Sequence, residues 1–473
     1  MRRKTFPIGF IGGYLADTSG MNRLNHDIHC DRSMWRHSLF LRAIAFLMLF
    51  VTDGSFASAQ SLTCTDLPCD DIDFENDGSA CDRFPDSPLD CELFDKYWSF
   101  REKLADCGIT FSTNVTQFYF GNVSGGVDQT GRYSGHGDYV ANIDFGKLGV
   151  QEGLFLKLRS EHRFGSSIAP ATGAVLPPTL ASDLPVSDSR DRYLTNVLFT
   201  QMFSEQFGVY AGKLDTLDGD TNAYAGGRGI TQFSNTAFIA TPIVLRGIPY
   251  SSLGCGMVIL KDREPLLNLL VMNPTDTADS AGFDELFAEG VVVSTELRVP
   301  TDLMGKPGHQ LFGATWSSRD YVSFDQDPRI ILPNVAVART SGTWAFNWNT
   351  DQALWVDSSD PTRHWGYFAR AGIADDSNNP IGYFLSGGLG GASPVRAGDG
   401  FGLGYFFIGT SNEVGPLLQA ALGPIGDGQG VEVFYRAQVN RFISITPDFQ
   451  WINQVRKQIP DAYLLGARMN IAF

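Results

Sequence analysis

The chain has 473 residues with 51 Gly and 35 Phe, a texture of many strands joined by turns. Its formal net charge of −16 excludes a nucleic-acid ligand, which needs a clustered basic face that the sequence lacks. After residue 59 no stretch approaches the roughly 20 apolar residues of a membrane-spanning helix, so a helical membrane protein is excluded as well.

The first element is "MWRHSLFLRAIAFLMLFVTDGSFASAQS". It carries Arg36 and Arg42, an apolar core from Ala43 to Val51, and the small-x-small ending Ala57-Ser58-Ala59. This predicts a secretory signal cut after Ala59. The 33 residues before Met34 lack apolar periodicity, so residues 1–59 read as a signal peptide with a mis-assigned upstream start, translation beginning at Met34 or Met21. Cleavage removes more basic than acidic residues and leaves the mature chain more acidic still.

Residues 60–90 form a Cys/Asp-rich segment. Cys64, Cys69, Cys81, Cys91 and Cys107 are disulfide candidates in an oxidising, exported compartment, with connectivity open. The stretch "CDDIDFENDGSACDRFPDSPLDC" loosely resembles calcium-binding thrombospondin type 3 repeats, but its ligand spacing is irregular, which favours a solvated acidic leader. Residues 91–107 come next as a short helix, with Leu93, Tyr97, Phe100 and Leu104 near one face. This helix is expected to close the periplasmic mouth of the strand region 108–473, or to lie beside that mouth.

From residue 108 to 473 the period is two. In "LFLKLRSEHR", Leu154, Leu156 and Leu158 share one face, while Lys157, Arg159, Glu161 and Arg163 share the other. Connections alternate in length: long at 121–137, short at 147–152, long at 164–191, short at 204–207, long from 215 to about 250. That parity is the asymmetry of outer-membrane barrels, with short periplasmic turns and long outside loops. Continuing through "GVVVSTELRV", "GTWAFNWN" and "GVEVFYRAQVN" gives about sixteen segments near bilayer-crossing length. The predicted fold is an all-β, transmembrane antiparallel barrel. At the C-terminus, Tyr463, Leu465, Ala467, Met469, Ile471 and Phe473 form one apolar face, and the terminal Phe473 resembles the assembly signal of bacterial outer-membrane barrels.

Several stretches together resemble one family. "WSFREKLADCGITF", "LRSEHRFG", "GVYAGKLDTLDGDTNAYAGG", "QFSN", "GDGFGLGY", "ITPDFQWI" and "LLGARMNIAF" look like the carbohydrate-selective porins of the OprB family, over roughly residues 95–473. The resemblance implies a sixteen-stranded barrel in the bacterial outer membrane that passes mono- or small oligosaccharides by diffusion. Expected partners are outer-membrane lipid and the barrel assembly machinery, with the chain a monomer or a homotrimer. The segment before residue 95 departs from the family pattern.

Chemistry of other kinds finds little support. An EF-hand starting at Asp218 would need Gly at its sixth and Glu at its twelfth position, where Ala223 and Gly229 stand. No G-x-S-x-G elbow or H-E-x-x-H helix occurs, and His136, His162 and His309 are scattered. No enzyme activity, metal or cofactor is expected; a poorly selective porin, or a secreted carbohydrate-binding or glycoside-hydrolysing β-protein, are the alternatives. The charged face of a barrel strand turns inward, so Lys157, Arg159, Glu161, Arg163, Lys213 and Asp215 are candidate pore-lining residues. If the loop after Asp215 folds inward, as the resemblance implies for a constriction, Tyr224, Arg228, Phe233 and Arg246 join them; otherwise that loop is exposed. Trp344, Trp348, Trp355, Trp365 and Trp451 read as interface girdle before sugar platform.

Overall fold

The computed structural model describes residues 91–324, 338–415, 419 and 423–473. The signal peptide, the Asp-rich segment, Cys64, Cys69 and Cys81, and the side chain of Cys91, lie outside them. An α-helix, α1, spans Cys91–Asp106 and belongs to a compact unit separate from the one formed by the strands. Among the described residues no helix is long and apolar enough to cross a membrane.

The strands run β1 (Ile109–Ser124), β2 (Gly131–Asp144), β3 (Leu154–Gly165), β4 (Tyr193–Met202), β5 (Phe207–Asp215), β6 (Ser251–Lys261), β7 (Glu264–Met272) and β8 (Val292–Leu303). They continue as β9 (Lys306–Val322), β10 (Arg339–Val356), β11 (His364–Ala374), β12 (Ile381–Ala392), β13 (Gly400–Thr410), β14 (Gly428–Gln438), β15 (Ile443–Asn453) and β16 (Ala462–Ala472). Each pairs antiparallel with its sequence neighbours, and β16 returns to β1 with Asn114 opposite Ala472 and Tyr119 opposite Ala467. A closed, sixteen-stranded barrel results, in which every strand has two neighbours.

Local chemistry sets the two ends. The β6–β7 turn is Asp262-Arg263 and the β8–β9 turn is Met304-Gly305, all four residues at positive φ, as two-residue turns that match strand twist require. Asp302 steadies the second turn by accepting from the Gly305 amide at 2.7 Å. The opposite end carries the long connections 166–192, 216–250 and 273–291. One connection is shorter than the sequence reading: instead of 121–137 the loop is 125–130, because the Asn122 amide donates to the Thr130 carbonyl at 3.0 Å and extends the ladder past a polar, glycine-rich stretch.

The two faces of the barrel obey the alternation. On β16, Tyr463 and Leu465 are exposed, while Leu464, Arg468 and Asn470 are buried. Outward aromatics gather towards both rims: Trp316 lies opposite Trp344 on neighbouring strands, and Trp365 packs edge-on against Phe401 at 6.1 Å. Leu385 sits mid-strand on β12, half exposed, between Ala371 and Phe407.

Leu385→Arg is expected to cost about 2–4 kcal/mol of barrel stability, the penalty for a cation facing lipid near mid-bilayer. Urea unfolding in lipid vesicles measures it, with heat-dependent gel mobility as the check that the barrel forms. A variant as stable as the parent would place Leu385 away from lipid.

Candidate functional site

The connection 216–250 does not stand outside the barrel; it turns inward and crosses the lumen. Phe233 and Phe238 are fully buried there, their rings 4.6 Å apart. Phe233 meets Phe368 of β11 at 5.2 Å and Phe434 of β14 at 5.0 Å, and Phe238 meets Phe406 of β13 at 5.7 Å, mostly edge to face. The glycines of "GFGLGY" make room for them: a Cβ on Gly404 would lie 2.5 Å from the Phe238 ring, and one on Gly402 2.8 Å from Phe233. The inserted segment thus fills the β11–β14 side of the lumen.

Charged side chains on the strands hold its backbone. Arg370 of β11 donates to the carbonyls of Phe238 (2.8 Å) and Ala225 (2.7 Å), and Arg468 of β16 donates to Gly229 at 2.7 Å. Glu432 of β14 accepts from the amides of Ser234 (2.6 Å) and Asn235 (2.9 Å), where Asn235 caps the helical turn Thr236–Ile239. Tyr224, also buried, bonds His364 Nδ1 through its hydroxyl at 2.8 Å. The second long connection packs on the first, with the Leu180 amide donating to Ser234 and the Thr236 amide to Pro177.

On the β2–β5 side the constriction is ionic. Arg159 reaches Asp138 (3.1 Å), Asp215 (2.7 Å) and Asp218 (2.9 Å). Arg228, from the inserted segment, reaches Glu161 (3.0 Å), Asp215 (2.7 Å) and the Tyr250 hydroxyl (2.9 Å) through one terminal nitrogen, and Asp218 (3.4 Å) through the other. Lys157 pairs with Asp218, and Glu161 also takes His136, Thr195 and Tyr250 as partners. Burial opposes ionisation of Asp218, yet Arg159, Lys157 and Arg228 outweigh it and hold its carboxyl below the usual range. Burial, and then Asp215 and Glu161, push the Tyr250 hydroxyl well above its usual pKa, so it remains a donor.

Beneath this web lies a cavity of about 550 Å³. Polar groups reach it from Asp138 and Asn142 on β2, Lys157 and Arg159 on β3, Asn196 on β4, and Glu296 and Arg298 on β8. Asp215, Asp218 and Asn222 form part of its wall on the loop side.

The candidates read from sequence therefore separate. Lys157, Arg159 and Asp215 reach the cavity, while Glu161, Arg228, Tyr224 and Phe233 hold the inserted segment in place. Arg163 is buried on the same strand face, near Asp183 of the second long connection. Lys213 does not join them. Leu214 takes the lumen face, and Lys213 turns to the other, its ammonium donating to the carbonyls of Ala278 and Ser280. Strict alternation would keep Asp215 with Lys213, but Asp215 ends the strand and caps the turn Thr216–Asp218, accepting from the Leu217 amide, which swings its carboxylate inward. Arg246 is exposed, lies 5.1 Å over the Tyr321 ring and donates to Asn378 in the 375–380 connection. Cys107 is half-buried. None of Trp344, Trp348, Trp355, Trp365 and Trp451 lines the cavity. Sequence reasoning missed Asp138, Asn196, Glu296 and Arg298, although Ser294, Glu296 and Arg298 alternate in "VVSTELRV" and carried the same signal as β3.

Arg228→Ala leaves Glu161 and Asp215 buried with less compensation, a loss of about 3–5 kcal/mol when one partner of a buried pair is removed. The expected outcome is a loosened segment in an intact barrel: higher and noisier single-channel conductance with parental gel mobility. Parental conductance would show that Arg228 does not hold the constriction.

No curated protein matches the chain. Among solved structures, the high-pH structure of Pseudomonas putida OprB is similar with a TM-score of 0.69 at 20% identity, covering 80% of this chain and 97% of that one. The low-pH structure of the same protein gives 0.50 at 17% identity, with the same 80% and 97% coverage. At such identities the likeness shows the fold. Residues 128–473 match the family described as carbohydrate-selective porin, OprB family, and the chain, an outer-membrane sugar porin, belongs to that family.

Proposed function

We propose that uncharged mono- and small oligosaccharides cross this barrel through the cavity beside the inserted segment, and that Lys157, Arg159, Asp138 and Asn196 exchange hydrogen bonds with their hydroxyls. The observation that carries this reading is the mixture of donors and acceptors on the cavity wall: cations and carboxylates are interleaved there at short range. A hydroxyl both donates and accepts, so each sugar oxygen finds a partner as it leaves water. Paired charges of opposite sign leave little net field to attract an ion. Diffusion through such a passage involves no bond making, so this reading calls for no enzyme activity. Each barrel encloses its own cavity, so one chain suffices for passage, whether it stands alone or in a homotrimer. Residues 34–59 direct export, with cleavage after Ala59.

Arg159→Ala should raise the glucose concentration that half-blocks single-channel current by about tenfold or more, because a charge-assisted hydrogen bond contributes about 1.5–3 kcal/mol. Current recordings on the reconstituted chain, with gel mobility as the folding control, measure this. A variant that blocks like the parent removes Arg159 from the sugar path, and a parental current indifferent to sugar favours a poorly selective porin.

Phe473 supports a role in assembly. It ends the lipid-facing row of β16, exchanges backbone hydrogen bonds with Thr113 at 2.9 and 3.2 Å, and leaves its ring partly exposed beside Phe442. Deleting Phe473 should lower the outer-membrane level several-fold without lowering export across the inner membrane. Fractionation with immunodetection reads both quantities, and unchanged outer-membrane abundance would rule the role out.

A further inference from the structure

The cavity has a second wall, of opposite character to the first. Leu198 on β4, Leu214 on β5, Val258 on β6 and Leu270 on β7 all line it. They pack into one apolar cluster with Tyr210 and Leu260. Between Gly254 and Leu260, β6 presents only glycine and aliphatic groups to the lumen, and the Tyr210 hydroxyl beside it is engaged by Asn268 at 2.6 Å. On β7 the face that carries Leu270 also carries Asn268 and Glu264, so the continuous apolar strip spans β4–β6, about 10 Å at the interstrand spacing of roughly 4.8 Å, with Leu270 at its edge.

The strip is bounded on both sides by charge. Lys157 lies opposite Leu198 across the β3–β4 pair, and Asn268 and Glu264 on β7, then Glu296 and Arg298 on β8, stand on the other side. Barrel interiors are ordinarily polar, since water fills them. An apolar strip three strands wide keeps water weakly held along one wall, and a solute that presents apolar surface there gains by displacing it. The width exceeds what the C–H face of one pyranose ring covers.

We infer that the passage favours glycosides bearing an apolar aglycone, aryl glycosides in particular, with the sugar hydroxyls on the Asp138, Lys157 and Arg159 side and the aryl ring on the Leu198, Val258 and Leu270 strip. This rests on the sugar-porin reading and names a solute class within it. An aryl ring stacked on this strip removes enough apolar area from water to tighten binding about tenfold.

The test compares glucose with phenyl β-D-glucoside as blockers of single-channel current through the full chain in planar bilayers. The parent is expected to be half-blocked by the phenyl glucoside at about one tenth of the glucose concentration. Leu270→Asn and Leu198→Asn, each checked for parental gel mobility, should each bring that ratio towards one. A parental ratio near one overturns the inference, and so does a ratio that both folded variants preserve. Block by the phenyl glucoside with none by glucose would sink the glucose reading while supporting the strip. If a variant fails to fold, the parental ratio and the other variant still decide.

Discussion

A loop can cross the inside of a barrel only if its own peptide groups find partners there, because the strands have already paired theirs with one another. Everything distinctive about this lumen derives from that constraint. Side chains must supply what the ladder cannot, so β11, β14 and β16 each point a charged residue at the inserted backbone. Arg370 and Arg468 donate to its carbonyls, and Glu432 accepts its amides at the start of a helical turn. Each of the three is almost wholly buried, and each would be costly without the loop. Strand charges and loop are therefore mutually required.

The ionic web at the constriction obeys a related logic but serves a different end. Placing Arg159, Arg228 and Lys157 among Glu161, Asp215 and Asp218 yields little net stability, since desolvation offsets much of the attraction. Its consequence is geometric: Arg228 reaches from the loop to carboxylates on β3 and β5, which fixes the loop laterally as well as in depth. Arg159 ties Asp215 to β2 through Asp138 while keeping an edge on the cavity. Residues that hold the loop and residues that line the cavity thus belong to one network of ion pairs and hydrogen bonds.

The barrel was legible because its signal is local. Period two in "LFLKLRSEHR" and in the last strand states which side chains face lipid, and those faces are the ones observed. The path of 216–250 was not legible, because its partners lie far away in sequence: Phe233 rests on Phe434 and Ser234 on Glu432, and no spacing rule connects them. The glycines of "GFGLGY" were visible, but a missing Cβ gives no hint of the phenylalanine that occupies its place. Lys213 went astray for a local reason. Alternation was extended to the end of β5, where Asp215 had already left the ladder to cap a turn.

Filling one side of the lumen with phenylalanine has a consequence for the other. The Phe233–Phe238 cluster fills the β11–β14 side and leaves the cavity against the wall made by β1 to β9. A solute held against a single wall cannot present its polar groups in every direction, as it would in the middle of a wide polar channel. Polar and apolar groups are unevenly distributed along that wall: charges on β2–β3, mostly aliphatic groups with Asn196 on β4–β6, Leu270 with Asn268 and Glu264 on β7, and charges again on β8. A pyranose, with hydroxyls around its edge and C–H groups on its faces, is amphipathic in the same sense. Selectivity for such solutes needs no tight cage, only a loop that removes the alternative routes.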